Sequence, residues 1–556
     1  MRASPMIALA AVAAVAVPLA GCGGGSAPDG GPRTGDPASR TGAATSSPSA
    51  SPTPDGKWIP GYVADMTLEE KVGQLFVPTF SSAADARSMI KRYHVGGLIY
   101  FPGNMAGGPE GTARLSNSLQ KAAKLPLLLA VDEEQGLVTR TPFLTKFPGN
   151  MALGATRRTD DARAAAQVTG TELRAVGINQ NYAPVADVNI NPANPVIGLR
   201  SFGSDPALVS QLLGAAIGGY QAAGVAATAK HFPGHGDTDT DSHTGLPVIK
   251  HTRAQWERLD APPFKAAITA GVDAIMSAHI VVPGLDKSGD PSTLSKTVLT
   301  GLLRQHLGYQ GVIVTDSLQM AGAREKYGDA ATPVRAINAG ADQLLMPPSL
   351  PTAHKAVVRA VRDGKIPPKR LDESVGRILR LKELRGLFAG TMADPARADA
   401  VVGAESHKST ASRVAEHAVT LVRNDDRVLP LGKDKTVHVT GPRSESLAKA
   451  LRRAGIPIAG SPASADVTVL TTENAGASAT AARIRALGGK PVVVAALGRP
   501  YDLDKSGRAK AALATYSGGA VSIAALARVL AGSVDPIGRL PVKAGGQPPG
   551  HGLSYG

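Results

Sequence analysis

A repeating pattern of short apolar runs constrains this chain more than any other feature. Runs at 97–100, 125–131, 177–183, 224–229, 271–278, 311–314 and 340–346 mostly open on a glycine and give way to polar residues. They are too uniformly apolar to be strands with one wet face, so they predict strands buried on both faces. Helical stretches such as 161–176 and 208–223 lie between them. Strands alternating with helices define an α/β fold with a parallel sheet. Order begins near Trp58, where Thr67-Leu68-Glu69-Glu70 forms a capping box followed by Val72, Leu75 and Phe76 at helical spacing, predicting a helix. From there to Phe388 is roughly 330 residues, which suits a TIM-type (β/α)8 barrel better than a compact open sheet.

A helix over 371–387 closes that region, and residues 57–390 are read as the barrel. A linker is expected at 391–410. A second unit opens at 411–422 and turns at Asn424-Asp425-Asp426. Beyond it, strands at 436–439, 467–470 and 491–497 alternate with helices at 444–453 and 478–487, predicting a smaller α/β sandwich domain over 411–556. No G-x-x-x-x-G-K-[ST] loop occurs and 455–460 lacks G-x-G-x-x-G spacing, so nucleotide chemistry is unsupported.

The N-terminus has a different character. Arg2 precedes an apolar run at 6–19, shorter than the roughly 20 residues a membrane-spanning helix needs, and reads as an export signal. The run ends Leu19-Ala20-Gly21-Cys22, which resembles the lipobox of bacterial lipoproteins, and Cys22 is the single cysteine of the chain. A disulfide framework and a multi-cysteine zinc site are thereby excluded. Residues 1–22 are read as a lipoprotein signal peptide and 23–56, rich in Gly, Ser, Pro and Thr, as a flexible tether. The expectation is an exported protein, lipid-anchored at Cys22 to the outer face of the bacterial cell membrane. The net charge of +15 favours polyanionic surroundings such as acidic wall polymers, while 4% aromatics and no basic run with stacking residues argue against nucleic acid.

Residues able to do chemistry fall where a barrel places its active site. Asp132, Lys230-His231, His279 and Asp316 each follow the C-terminal end of an expected strand. The richest segment is 230–243, Lys-His-Phe-Pro-Gly-His-Gly-Asp-Thr-Asp-Thr-Asp-Ser-His. Asp237, Asp239 and Asp241 have the spacing of a calcium loop, but Ser242 and Val248 stand where an EF-hand needs Gly and Glu. Zinc through His231, His235 and His243 lacks a helical H-E-x-x-H pattern. No metal or cofactor is expected.

This segment resembles the K-H-F-P-G-H-G…D-S-H signature of the β-N-acetylhexosaminidases of glycoside hydrolase family 3. Segments 67–74, 183–188, 200–203 and 314–318 are similar to that family in order and spacing, and 417–424 and 538–542 more weakly. The resemblance implies a retaining double displacement through a covalent glycosyl-aspartate. Asp316 would be the nucleophile, His243 the general acid/base and Asp241 the group that orients it. An imidazole with a pKa near 6.5 suits both proton transfers close to neutral pH. Carried over by position, Asp132, Arg140, Arg200, Lys230 and His231 would bind the sugar. The chain departs from the family where Asp-Glu-Glu-Gln-Gly-Leu-Val-Thr-Arg (132–140) replaces the commoner D-Q-E-G-G-R-V-Q-R.

The implied activity is an exo-β-N-acetylglucosaminidase acting on N-acetylglucosamine-containing cell-wall fragments. A phosphorylase resolving the same intermediate with phosphate, a β-glucosidase of the same family and a catalytically silent glycan-binding lipoprotein remain as alternatives.

Overall fold

The computed structural model describes residues 55–242 and 245–555. The expected signal peptide, Cys22, the tether up to residue 54 and His243 lie outside the described residues.

Eight strands build the first domain: β1 (Phe76–Val77), β2 (Gly97–Ile99), β3 (Leu128–Val131), β4 (Gln180–Asn181), β5 (Ala226–Phe232), β6 (Ala274–Ser277), β7 (Val312–Thr315) and β8 (Leu344–Leu345). Strands β2 to β7 pair in sequence order and β1 pairs with β8, all in parallel. Parallel bridges Thr79–Ile99 and Val314–Gln343 join the two sets and close the ring. Every strand residue is buried, as expected of strands that face side chains on one side and helices on the other.

Helices Thr159–Ala175 and Pro206–Ala222 sit within two residues of their expected positions. Asp205 caps the second by accepting from the Ala207 amide, and Pro206 stands in its first turn, where a missing N–H costs nothing.

Strand β1 is the element that the sequence pattern hides. The capping box is present, with Thr67 and Glu70 satisfying each other's backbone amides, but its helix ends at Gln74. Phe76, placed in that helix by its spacing, pairs instead with Leu344 in the barrel wall. Over so short a run, helical and extended periodicities cannot be told apart.

Residues 391–410, expected as a linker, hold the helix Pro395–Val401 and the start of the helix Glu405–Ala418. Pro395–Val401 packs on the barrel helices Gly108–Ala122 and Thr159–Ala175. Within 411–422, where the second unit was expected to open, the helix ends at Ala418 and the chain turns into β9 (Thr420–Asn424). With β10 (Val437–Thr440), β11 (Val467–Thr472), β12 (Val492–Ala496) and β13 (Ala511–Ala514) it forms a sheet of order β10-β11-β12-β13-β9, parallel except for β9 at the edge. One apolar layer, including Leu447, Leu451, Leu526 and Leu530, comes from helices Ser444–Arg453 and Ala520–Leu530. A second layer joins Val422, Val494 and Leu540 to the barrel's Met151, Ala152 and Leu199. The sandwich thus uses the barrel as one of its covers. Among the described residues no helix is long and apolar enough to cross a membrane.

Candidate active site

A cavity of about 400 Å³ opens at the C-terminal ends of the barrel strands. Six of the sequence-derived residues line it: Asp132, Arg140, Arg200, Lys230, His231 and Asp316. They arrive from separate elements. Asp132 follows β3, Lys230 and His231 end β5, Asp316 follows β7, and Arg200 ends a short 3-10 turn in the loop after β4. Adjacent strand residues normally point to opposite faces. Here the register of β5 against β6 slips between Lys230 and Phe232, and both Lys230 and His231 reach the cavity.

An ionic network organises the floor. Arg200 Nε and Nη2 donate to the two oxygens of Glu134, both at 2.8 Å, in a bidentate fork. Lys230 Nζ lies 2.7 Å from Glu134 Oε1 and 2.8 Å from Asp132 Oδ1. Burial opposes the charge of Glu134, but the Arg200 and Lys230 cations outweigh it and hold its carboxyl well below the usual range. For Lys230, burial disfavours the ammonium, and Asp132 and Glu134 more than restore it.

Asp316 sits beside this network. Its backbone amide donates to Ser277 O at 3.2 Å, continuing the strand pairing, and the Ser317 amide donates to its Oδ1 at 2.7 Å. Burial pushes its pKa up, while the electrostatics of His231, His279 and Lys230 prevail and leave it below the ordinary aspartate value. The geometry therefore presents a carboxylate, not a carboxylic acid, to the cavity. His279 is fully buried and is fixed by Ser317 O and Thr293 Oγ1, each at 2.9 Å.

His231 is oriented by Asp187. The Asp187 carboxylate accepts from His231 Nδ1 at 2.7 Å, from the His231 amide at 3.2 Å and from the His235 amide at 2.7 Å. With Nδ1 so engaged, Nε2 faces the cavity, 3.4 Å from Arg200 Nη2. Arg140 lies 5.9 Å from the centre of the Phe101 ring, and both line the cavity.

The loop that leads to Asp241 and His243 is pinned at both feet. A side chain at Gly236 would meet Val188 O at 1.7 Å, so only glycine fits this approach. His235 Nε2 meets Ser242 Oγ at 3.0 Å, and burial lowers the His235 pKa to about 4, keeping it neutral. His251 bridges Asp237, at 2.9 Å, and Asp260, at 2.7 Å. Asp237 is therefore held in the loop's base, and among the described residues no cluster of three or more His, Cys, Asp or Glu could hold a metal ion. Asp241 is half-buried at the end of this loop, next to Ser242 of the cavity wall.

Glu134 and Asp187 stand in the sequence motifs without a role, because only the fold reveals which side chains each one holds. His235 and Ser242 are also placed by the structure alone. The departure at 132–140 has a structural consequence. Gln135 has a left-handed φ of 67°, a conformation that favours glycine. Its side chain is buried, donates to Thr145 O at 3.2 Å and Thr169 Oγ1 at 3.1 Å, and accepts from the Phe147 amide at 3.1 Å. Leu137, where the commoner pattern has Arg, is exposed at the rim.

The glycosyl hydrolase family 3 N-terminal domain matches residues 67–381, and the family's C-terminal domain matches residues 458–548. The chain is 39% identical to "Beta-hexosaminidase A" of Pseudoalteromonas piscicida over 390 residues, 64% of each chain. It is 36% identical to "Beta-N-acetylglucosaminidase/beta-glucosidase" of Cellulomonas fimi over 389 residues, 68% of each chain. It superimposes with a TM-score of 0.80 and 40% identity on the glycoside hydrolase family 3 β-N-acetylglucosaminidase of Paenibacillus sp. str. FPU-7, covering 86% of this chain and 98% of that one. The chain belongs to glycosyl hydrolase family 3.

Proposed function

We propose that the protein is a retaining exo-β-N-acetylglucosaminidase that removes terminal N-acetylhexosamine from cell-wall fragments or related glycans. The observation that carries this reading is the position of Asp316, which follows β7 and lines the cavity together with Lys230 and His231 at the C-terminal ends of the barrel strands. The names of the similar proteins, β-hexosaminidase and β-N-acetylglucosaminidase, support the acetamido sugar.

Asp316 attacks the anomeric carbon and forms a glycosyl ester as the aglycone leaves. His243, oriented by Asp241, gives its proton to the departing oxygen and then takes one from the incoming water. Asp132 accepts from sugar hydroxyls, Lys230, Arg200 and Arg140 donate to hydroxyls or to the acetamido carbonyl, and His231 accepts from a hydroxyl at Nε2. A cavity of about 400 Å³ is small among ligand sites, in keeping with recognition of one terminal sugar. We further propose that the protein is exported and anchored by lipid at Cys22, which places it beside wall substrates.

The test is release of 4-nitrophenol from its β-N-acetylglucosaminide and β-glucoside, with and without phosphate, for wild type and Asp316→Ala. Turnover of the acetamido sugar that Asp316→Ala abolishes is the expected result. A sugar phosphate as product would make the protein a phosphorylase, and no turnover of either sugar would leave a glycan-binding protein.

A further inference from the structure

Large apolar side chains gather at the end of the barrel opposite the cavity. Eight are exposed among the described residues, and four of them, Trp58, Leu384, Phe388 and Met392, are 37 to 43% exposed and lie together there. Trp58 packs edge-on against Phe388 at 4.9 Å and donates from Nε1 to Glu383 at 2.7 Å. Phe388 and Met392 line one recess, and Leu384 lines another with Asp55 and Gly56. These recesses also contain Gly177, Gly271 and Gly311, which precede β4, β6 and β7, whereas Asp316 and His231 lie at the strands' C-terminal ends. Trp58 and its neighbours therefore mark the far end of the barrel from Asp316.

Two further observations say what covers this face. The described body begins at Asp55, beside Leu384, so the chain that leads back to an N-terminal anchor leaves the barrel from this end. In the Phe388–Met392 recess the charges complement an anionic surface. Arg174 and Arg397 line the Phe388–Met392 recess and pair with no carboxylate among the described residues. Of the acids nearby, Asp55 pairs with Lys57, Glu383 with Arg380 and Trp58, and Asp394 accepts from the Ala396 amide, while Glu373 of the Leu384 recess pairs with no cation among the described residues. Aromatic and aliphatic side chains beside unpaired guanidinium groups are the composition of a surface that sits in the headgroup layer of a bilayer.

We propose that this face docks on an anionic lipid bilayer, so that the anchored enzyme lies against its membrane with the catalytic cavity pointing away from it. The proposal rests on the Cys22 anchoring reading. It makes the tether a means of delivery to the surface and not a long spacer.

The two tryptophans make the test direct, since Trp256 is only 1% exposed and Trp58 is in the patch. Full-length protein is mixed with vesicles of phosphatidylcholine and phosphatidylglycerol brominated near the headgroup, and flotation and tryptophan emission are read together. The Trp58 contribution, taken as wild type minus Trp58→Phe, is expected to be quenched about twofold. Leu384→Ser combined with Met392→Ser should abolish the quenching while 4-nitrophenyl glycoside turnover, which the cavity controls, stays unchanged. Flotation with Trp58 unquenched overturns the docking and leaves the anchor reading intact. Failure to float defeats the anchor reading, and Trp58 then unquenched at saturating lipid defeats the docking as well. A blue shift that grows with protein concentration in the absence of lipid assigns the face to a second copy of the chain and overturns the proposal.

Discussion

Replacing Glu134 by Gln keeps the shape of a buried side chain and removes one charge. Glu134 accepts from Arg200 Nε and Nη2 at 2.8 Å and from Lys230 Nζ at 2.7 Å, and its own side chain is 1% exposed. Glutamine offers one oxygen and turns an amide NH2 toward two cations. A hydrogen bond to a charged group contributes about 1.5–3 kcal/mol, and stripping one partner from a buried ion pair costs about 3–5 kcal/mol. Lys230 would keep Asp132 at 2.8 Å, and Arg200 would keep the Val196 carbonyl, at 3.0 Å, but no carboxylate among its direct partners on this floor. At about 1.4 kcal/mol per tenfold, kcat/KM on the aryl N-acetylglucosaminide should fall by about a hundred- to several thousand-fold. Part of the loss should also appear as a lower thermal unfolding temperature. A kcat/KM within about threefold of wild type together with an unchanged unfolding temperature would refute the view that Glu134 positions the sugar-binding cations.

Asp187→Asn should lower kcat/KM by about ten- to a hundredfold with little change in the unfolding temperature, because it removes the acceptor that fixes the His231 ring; steady-state kinetics checks this. Gln135→Gly relieves the left-handed backbone but loses three hydrogen bonds, so a net destabilisation of about 1–3 kcal/mol is expected in thermal or denaturant unfolding; a more stable variant would contradict it. Lys382 is fully buried, donates to Gln74 at 2.7 Å, and burial lowers its pKa to about 7. A base whose folded pKa is depressed binds fewer protons folded than unfolded between those two values, so wild-type stability should rise with pH from about 7 toward 10. Lys382→Met should be the more stable protein at pH 7 and below, with the advantage shrinking by pH 10, as unfolding temperatures across that range will show.

The barrel was legible in the sequence because seven of its strands are buried apolar runs, most of them opening on a glycine. β1 was not, since Phe76-Val77 continues the spacing of the capped helix before it. In the second domain Val467–Thr472 and Val492–Ala496 announce themselves by β-branched residues, whereas β13, Ala511–Ala514, has none and passed unread. β9 is hidden in the sequence because Val419 and Leu421 extend the apolar stripe of the helix before it. At the site, motif resemblance pointed to six residues that line the cavity. It could not find what holds them, because the Arg200–Glu134 fork joins residues 66 positions apart and the His231–Asp187 pair residues 44 apart. Such pairings exist only once the βα loops are brought to one end of the barrel.

The most direct test of the account is covalent trapping of the nucleophile. Protein incubated with an activated 5-fluoro N-acetylglucosaminide should gain one sugar by intact mass, and peptide sequencing should place it on Asp316, with no label on Asp316→Ala. Label on another carboxylate, or an active enzyme that never accumulates a covalent sugar, would contradict the double displacement at Asp316.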